Sequence, residues 1–229
     1  MFILPGNPPV EIALRRTSRA RRFSLRVAQV DGRVTLSLPA RSREAEALAF
    51  VTSQEGWIRA ALARMPQVSS VGFGGEIPFE GVPLPIRSSL GRSVRIEEGA
   101  LMVPGASDRV AARVQAFLKV RARDRLVAAS DRYAGMVGRK VAQVALRDTR
   151  SRWGSCTSAG ALMYSWRLIM APPSVLDYVA AHEVAHLIEM NHSYRFWAVV
   201  ERLYPAWQAE RAWLRKHGAA LQAIRFESD

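Results

Sequence analysis

Cysteine, lysine and long apolar runs are what this 229-residue sequence has least of. A single cysteine, Cys156, excludes an internal disulfide and agrees with a reducing compartment. No apolar run approaches the roughly 20 residues that a membrane-spanning helix needs, so no membrane partner is expected. Met1-Phe2-Ile3-Leu4-Pro5 is too short for the apolar core of a secretion signal, and no basic segment precedes it. The expectation is a cytoplasmic protein. Lys119, Lys140 and Lys216 are the only lysines, so arginine supplies nearly all of the 33 basic residues, against 20 acidic ones. The resulting net charge of +13 points to an anionic partner, most often nucleic acid. Arginine used almost to the exclusion of lysine points equally to the codon bias of a GC-rich genome.

What is present reads as one large soluble domain or two small ones. Alternating apolar and polar residues at 11–14, 23–27 and 34–38 predict strands, with Asp31-Gly32 as a hairpin signal. Arg15, Arg16, Arg19, Arg21 and Arg22 fall between the first two runs. They form either an anion-binding strand edge or, as most charge runs do, a solvated loop or outward face. Residues 42–64 change to helical spacing, starting at Ser42 as N-cap and broken near Gly56. Short strands return over 70–104, with Glu98-Gly99 as a turn. Pro104-Gly105-Ala106-Ser107 is the candidate boundary, giving a β-rich region 1–104 with a helical insertion and a second domain 105–229.

The second domain opens with a long helix from Ser107, bearing a basic polar face and ending at Gly135 or Gly138. A strand follows over 141–146, then a polar turn over 150–156 and an apolar strand over 161–170. Pro172-Pro173-Ser174 ends that strand and starts a helix. Beyond it, Ser193 caps a short helix with Phe196, Trp197, Val200 and Leu203. A last helix, begun by Pro205 and buried partly by Trp207 and Trp213, runs to about His217-Gly218, where His217 caps its C-terminus. No internal repeat or low-complexity tract is visible.

Three of the four histidines lie in the run HEVAHLIEMNH, residues 182–192. At about 100° per residue, His182 and His186 share one helical face, one turn apart. Two imidazoles so placed can share a divalent metal, and Glu183 lies where a carboxylate reaches a metal-bound water. His192 is too far on to continue that face. It returns as a third ligand if the helix ends and the chain turns near Asn191, a residue type that tolerates left-handed geometry. The bland alternative makes His182 and His186 core residues and His192 a surface one.

The run RWGSC, then SWRLIMAPPSVLDYVAAHEVAHLIEMNHSYRFW, resembles the YgjP-like zinc metallopeptidases over residues 150 to about 207. The HExxH, NHS and FW pattern is also similar to that of SprT-like and WLM-type proteases, which act on proteins crosslinked to DNA. The histidine spacing equals that of metzincins, but Glu189 stands where those have glycine, and Ser165 stands where the family has asparagine. The resemblance implies an α+β fold whose zincin-like second half holds an HExxH active-site helix. It also implies Zn2+ on His182, His186 and His192, with Glu183 as general base and a protein or peptide as substrate. The chemistry agrees, since three neutral imidazoles leave one position of zinc open for water, as catalytic sites require.

Other residues are candidates of a weaker kind. Glu189 is a carboxylate able to orient an imidazole, or an exposed helix residue. Arg152, Arg167, Tyr164 and Tyr194 can each stabilise an oxyanion, and spacing singles out none of them. Cys156 reads as a small packed residue, although it can approach a metal. The strand over 161–170 can present an edge to an extended peptide. The family likeness makes Trp153-Gly154-Ser155 a substrate-facing loop. The rival function is a nucleic-acid-binding module with a structural or silent zinc, or a protease recruited to DNA.

Overall fold

The computed structural model describes residues 1–28 and 31–226. The chain forms two compact units, Met1–Gln67 and Val68–Asp229. In the first, β1 (Phe2–Leu4), β2 (Val10–Thr17), β3 (Ser24–Val27) and β4 (Val34–Pro39) precede α1 (Glu44–Ser53) and α2 (Glu55–Ala63). The sheet order is β1-β2-β4-β3; β2 and β4 are parallel and the outer pairs antiparallel. Period-two alternation puts Val10, Ile12, Val34, Leu36 and Leu38 on one buried face. That face packs with Ala47, Val51 and Ile58 of the two helices in a core of its own.

The Asp31-Gly32 signal lies in the β3–β4 hairpin, where the Ala28 N–H donates to the Arg33 carbonyl at 2.9 Å and Gly32 has φ 68°. Arg15, Arg16, Arg19, Arg21 and Arg22 are all exposed. Arg16 donates to the Ser42 carbonyl at 2.7 Å. Ser42 is not the cap of α1: Arg43 holds the N-cap position, with no side-chain hydrogen bond. The break between α1 and α2 comes at Gln54, whose N–H reaches back to Val51, rather than at Gly56.

The second unit opens with β5 (Ser69–Ser70), β6 (Glu76–Phe79), β7 (Val82–Ser89), β8 (Arg95–Glu97) and β9 (Ala100–Pro104). The last four form a sheet of order β6-β7-β9-β8. Its two hairpins close through Glu80-Gly81 and Glu98-Gly99, all four residues at φ between 49° and 82°. Paired left-handed residues match the twist of a two-residue hairpin. Ile77, Leu84, Ile86, Leu101 and Val103 from this sheet share one core with the remaining helices. The units therefore part at Gln67–Val68 and not at the Pro104 boundary expected from the sequence, because strands β6–β9 bury their apolar face with the second unit.

After a 3-10 turn, α3 (Val110–Met136) spans this core, and Gly138 at φ 63° follows its end. Then come β10 (Gln143–Arg147), β11 (Gly154–Cys156), β12 (Ala161–Ser165), α4 (Pro173–Ala185), α5 (Tyr194–Leu203), α6 (Trp207–Ala223) and β13 (Ile224–Arg225), which pairs in parallel with β5. The order β10-β12-β11 puts β12 in the middle, parallel to β10 and antiparallel to β11. The mixed helical and sheet composition is that of an α+β chain.

Three expectations need correction here. The apolar run 161–170 is a strand only to Ser165; Trp166–Met170 is a buried 3-10 turn. The Arg167 guanidinium explains the bend. It pairs with both Asp148 oxygens, at 2.6 and 3.2 Å, and donates to the carbonyls of Leu221 and Ile224. The residues expected as a loop at 154–156 form the strand β11. Finally, α6 does not stop at His217-Gly218. A Cβ at Gly218 would lie 2.8 Å from the Trp153 ring, so this glycine permits close approach rather than ending the helix. His217 is mid-helix, 4.9 Å from the Trp213 ring, and not a cap.

Candidate metal centre

Helix α4 begins with Pro173 at its first position, where a missing N–H costs nothing. Its residues Val175, Leu176, Val179, Ala180 and Val184 are buried, so the helix is fixed in the core. His182 and Glu183 lie in its last turn and His186 occupies the C-cap, still with right-handed angles. Beyond it, the N–H groups of Leu187 and Ile188 bond to carbonyls three residues back, which tightens the end of the helix.

The chain then turns, as the return of His192 demands, but not through a left-handed Asn191. Among the described residues the non-glycine residues with positive φ are Glu80 and Glu98. Instead, the Asn191 Oδ1 accepts the N–H of Ser193 at 3.2 Å, a local turn closed by the side chain. Ser193 then occupies the N-cap of α5 without a side-chain bond.

This turn brings the histidines together. One ligand atom from each of His182, His186 and His192 lies within 4.8 Å of the others. Nε2 of His182 and Nε2 of His192 are 3.1 Å apart. Nδ1 of His186 bonds to the Glu189 carbonyl at 3.0 Å, so the ring carries its proton there and leaves Nε2 free. The Glu189 contribution thus comes from its main chain and not from the carboxylate considered above.

Burial and the two other rings push His182 down to about 3, and burial also lowers His186. Neutral imidazole is the form that coordinates metal, so the donor set fits a divalent ion that accepts nitrogen.

Glu183 is only 5% exposed. Burial pushes its carboxyl up to about 8, with the Arg152 guanidinium acting in the opposite direction. The backbone of β11 passes directly against it. A Cβ at Gly154 would lie 2.5 Å from Glu183 Oε1, so a side chain at that position displaces the carboxylate. No signal of this contact lies in the sequence, where Gly154 figures only in the substrate-facing loop that the family likeness implies.

Of the other residues singled out above, Tyr164 is fully buried with its hydroxyl 2.9 Å from Ser130 Oγ, and Arg167 is committed to Asp148. Neither is free to meet an oxyanion. Tyr194 is 78% exposed and Arg152 is exposed. Cys156 lies half-buried on β11, outside the histidine group, its thiol pushed up to about 11 by burial and by Glu183.

The strand β12 has neighbours on both sides, so the outer edges of this sheet belong to β10 and β11 and not, as expected, to the 161–170 segment.

Sequence reasoning missed Phe196 as part of the site. Its ring centroid lies 4.8, 4.4 and 4.7 Å from those of His182, His186 and His192. The signal available was its place four residues after His192, on the face of α5 that turns inward.

A family model described as YgjP-like, metallopeptidase domain, matches residues 21–217. No curated protein and no solved structure shows a match.

Proposed function

We propose that this chain, which belongs to the YgjP-like metallopeptidase family, is a single-zinc peptidase. His182, His186 and His192 hold the metal and Glu183 is the general base of an HExxH site. The observation that carries this reading is the convergence of three imidazoles within 4.8 Å, with the buried carboxylate of Glu183 next in sequence to the first of them. Three histidines, with no fourth side-chain donor grouped with them among the described residues, suit zinc and leave room for water and substrate. Bound zinc supplies Lewis acidity, polarising a carbonyl oxygen and lowering the pKa of water toward about 7.

The chain's own residues supply the proton path. Glu183 takes a proton from the attacking water and hands it to the leaving amine, so the carboxylate is restored at each turnover. Burial holds this carboxyl in the range where it accepts and returns a proton near neutral pH. The guanidinium of Arg152 favours the ionised form. Of the two outer strands of this sheet, β11 is the one that runs past Glu183, at Gly154, so its edge is where an extended peptide can pair through its backbone.

Glu183→Gln is the test. Zinc content measured by elemental analysis should stay near wild type, while peptide hydrolysis falls by about 10²- to 10⁴-fold, the usual contribution of a general base. Normal hydrolysis by this variant would overturn the mechanism.

A second reading keeps the zinc site structural or silent and makes the protein a nucleic-acid binder, or recruits the peptidase to DNA. It rests on exposed Arg15, Arg19, Arg21, Arg22 and Arg26, for which no ion pair occurs among the described residues. DNA affinity that falls steeply with salt would support it; salt-insensitive or absent binding would leave the charge as compositional bias.

A further inference from the structure

We infer that Phe196 is a positioning residue for the metal ligands: its ring replaces the hydrogen bonds that ordinarily orient metal-binding histidines. This inference rests on the metal reading above. A ligating histidine usually donates its second ring N–H to a carboxylate, a carbonyl or water, and that bond fixes its orientation.

Here His186 alone follows the rule, through the Glu189 carbonyl. Nδ1 of His182 is buried with no partner among the described residues. Among the same residues His192 makes no hydrogen bond except the contact with His182, and it sits on the exposed turn between α4 and α5. Two of the three rings therefore lack a hydrogen-bonded brace.

Phe196 touches all three. It stacks on His186 at 4.4 Å and 29°. It meets His182 and His192 edge to face, at 72° and 80°. These are the preferred geometries of interacting aromatic rings. The phenyl ring is itself fully buried on α5, so its position is set by the core. Trp197, its neighbour in sequence, adds a parallel contact with the His192 ring at 6.0 Å and 29°. The first turn of α5 thus holds His192 from behind. Rings held by packing rather than by hydrogen bonds depend on a flat aromatic partner. A branched aliphatic chain of similar apolarity fills the space but gives no plane to stack on.

The test compares wild type, Phe196→Leu and Val200→Ala by chelator competition for Zn2+ and by the visible absorption of the Co2+-loaded protein. Val200 is equally buried, one turn further along α5, and is aliphatic, so it offers the histidines no ring to stack on. Thermal unfolding of each metal-free variant sets the baseline. Phe196→Leu should weaken Zn2+ binding by about 10- to 100-fold, the range for loss of an orienting partner. It should also alter the Co2+ spectrum. Val200→Ala should lower the melting temperature while leaving affinity and spectrum as in wild type.

Wild-type affinity and spectrum in folded Phe196→Leu would overturn the inference while leaving the metal site intact. Equal losses of affinity in both variants would overturn it too, by showing a general packing effect. Wild-type protein that binds neither ion would remove the metal reading itself.

Discussion

The two four-stranded sheets have the same strand order and the same sequence of partners: antiparallel, parallel, antiparallel. They differ in what lies against them. The sheet β1–β4 closes a small core with two short helices. The sheet β6–β9 shares a much larger core with α3, α4, α5 and α6. Among the described residues, every buried polar or charged side chain (Ser130, Ser165, Arg167, Glu183 and His186) belongs to the second unit. The lesson is about desolvation. A small core leaves its arginines in water, whereas a large one can strip water from a charge and so change its chemistry. The proposed site lies where that capacity exists.

The largest expected effect tests this directly. Glu183 has an ordinary value of 4.5 and is pushed up to about 8 in the fold. Between those pH values the folded, metal-free protein keeps a proton that the unfolded chain has released. Its stability therefore falls as pH rises through that window. Glu183→Gln removes the slope. Its advantage over wild type should grow from near zero below pH 4.5 to on the order of 4 kcal/mol by pH 8, measured by urea unfolding with chelator present. His182, lowered to about 3, makes both proteins lose stability as pH falls below 6.5, and so cancels in the comparison. A constant difference across the range would break the contrast.

Next in size is Arg167→Met. It should cost about 3 kcal/mol, at the low end for a broken buried pair because Asp148 remains partly exposed. The smallest effect belongs to the first unit. Arg15→Ser combined with Arg26→Ser should change stability by no more than about 0.5 kcal/mol, as exposed substitutions do, and leave peptide hydrolysis unchanged. A loss of several kcal/mol from this pair would show that charge on the first sheet is structural after all.

Much of this contrast can be read from the sequence, but unevenly. Alternation at Ile12, Val34, Leu36 and Leu38 marks the buried face of the first sheet, and the spacing of His182, His186 and His192 marks the candidate site, because both depend on local periodicity. The boundary at Pro104 misleads because proline and glycine report a turn, and a turn says nothing about which core the preceding strands join. The end of the strand at Ser165 is hidden because Trp166-Arg167-Leu168 remains apolar enough to read on. What bends it is Arg167 bonding to groups 19 to 57 residues away. The close approach of Gly154 to Glu183 and the part played by Phe196 were invisible for the same reason. Each acts on α4 from a different element, and only the folded chain brings them into contact.

The bond between the His186 ring and the Glu189 carbonyl has a consequence for how such sites tolerate change. Its acceptor is an atom that all twenty amino acids possess, so the brace survives whatever residue evolution installs at 189. That position can drift, or be recruited for contacts with a substrate, without disturbing the imidazole it supports. Searches that demand a particular side chain there will pass over proteins built on the same device.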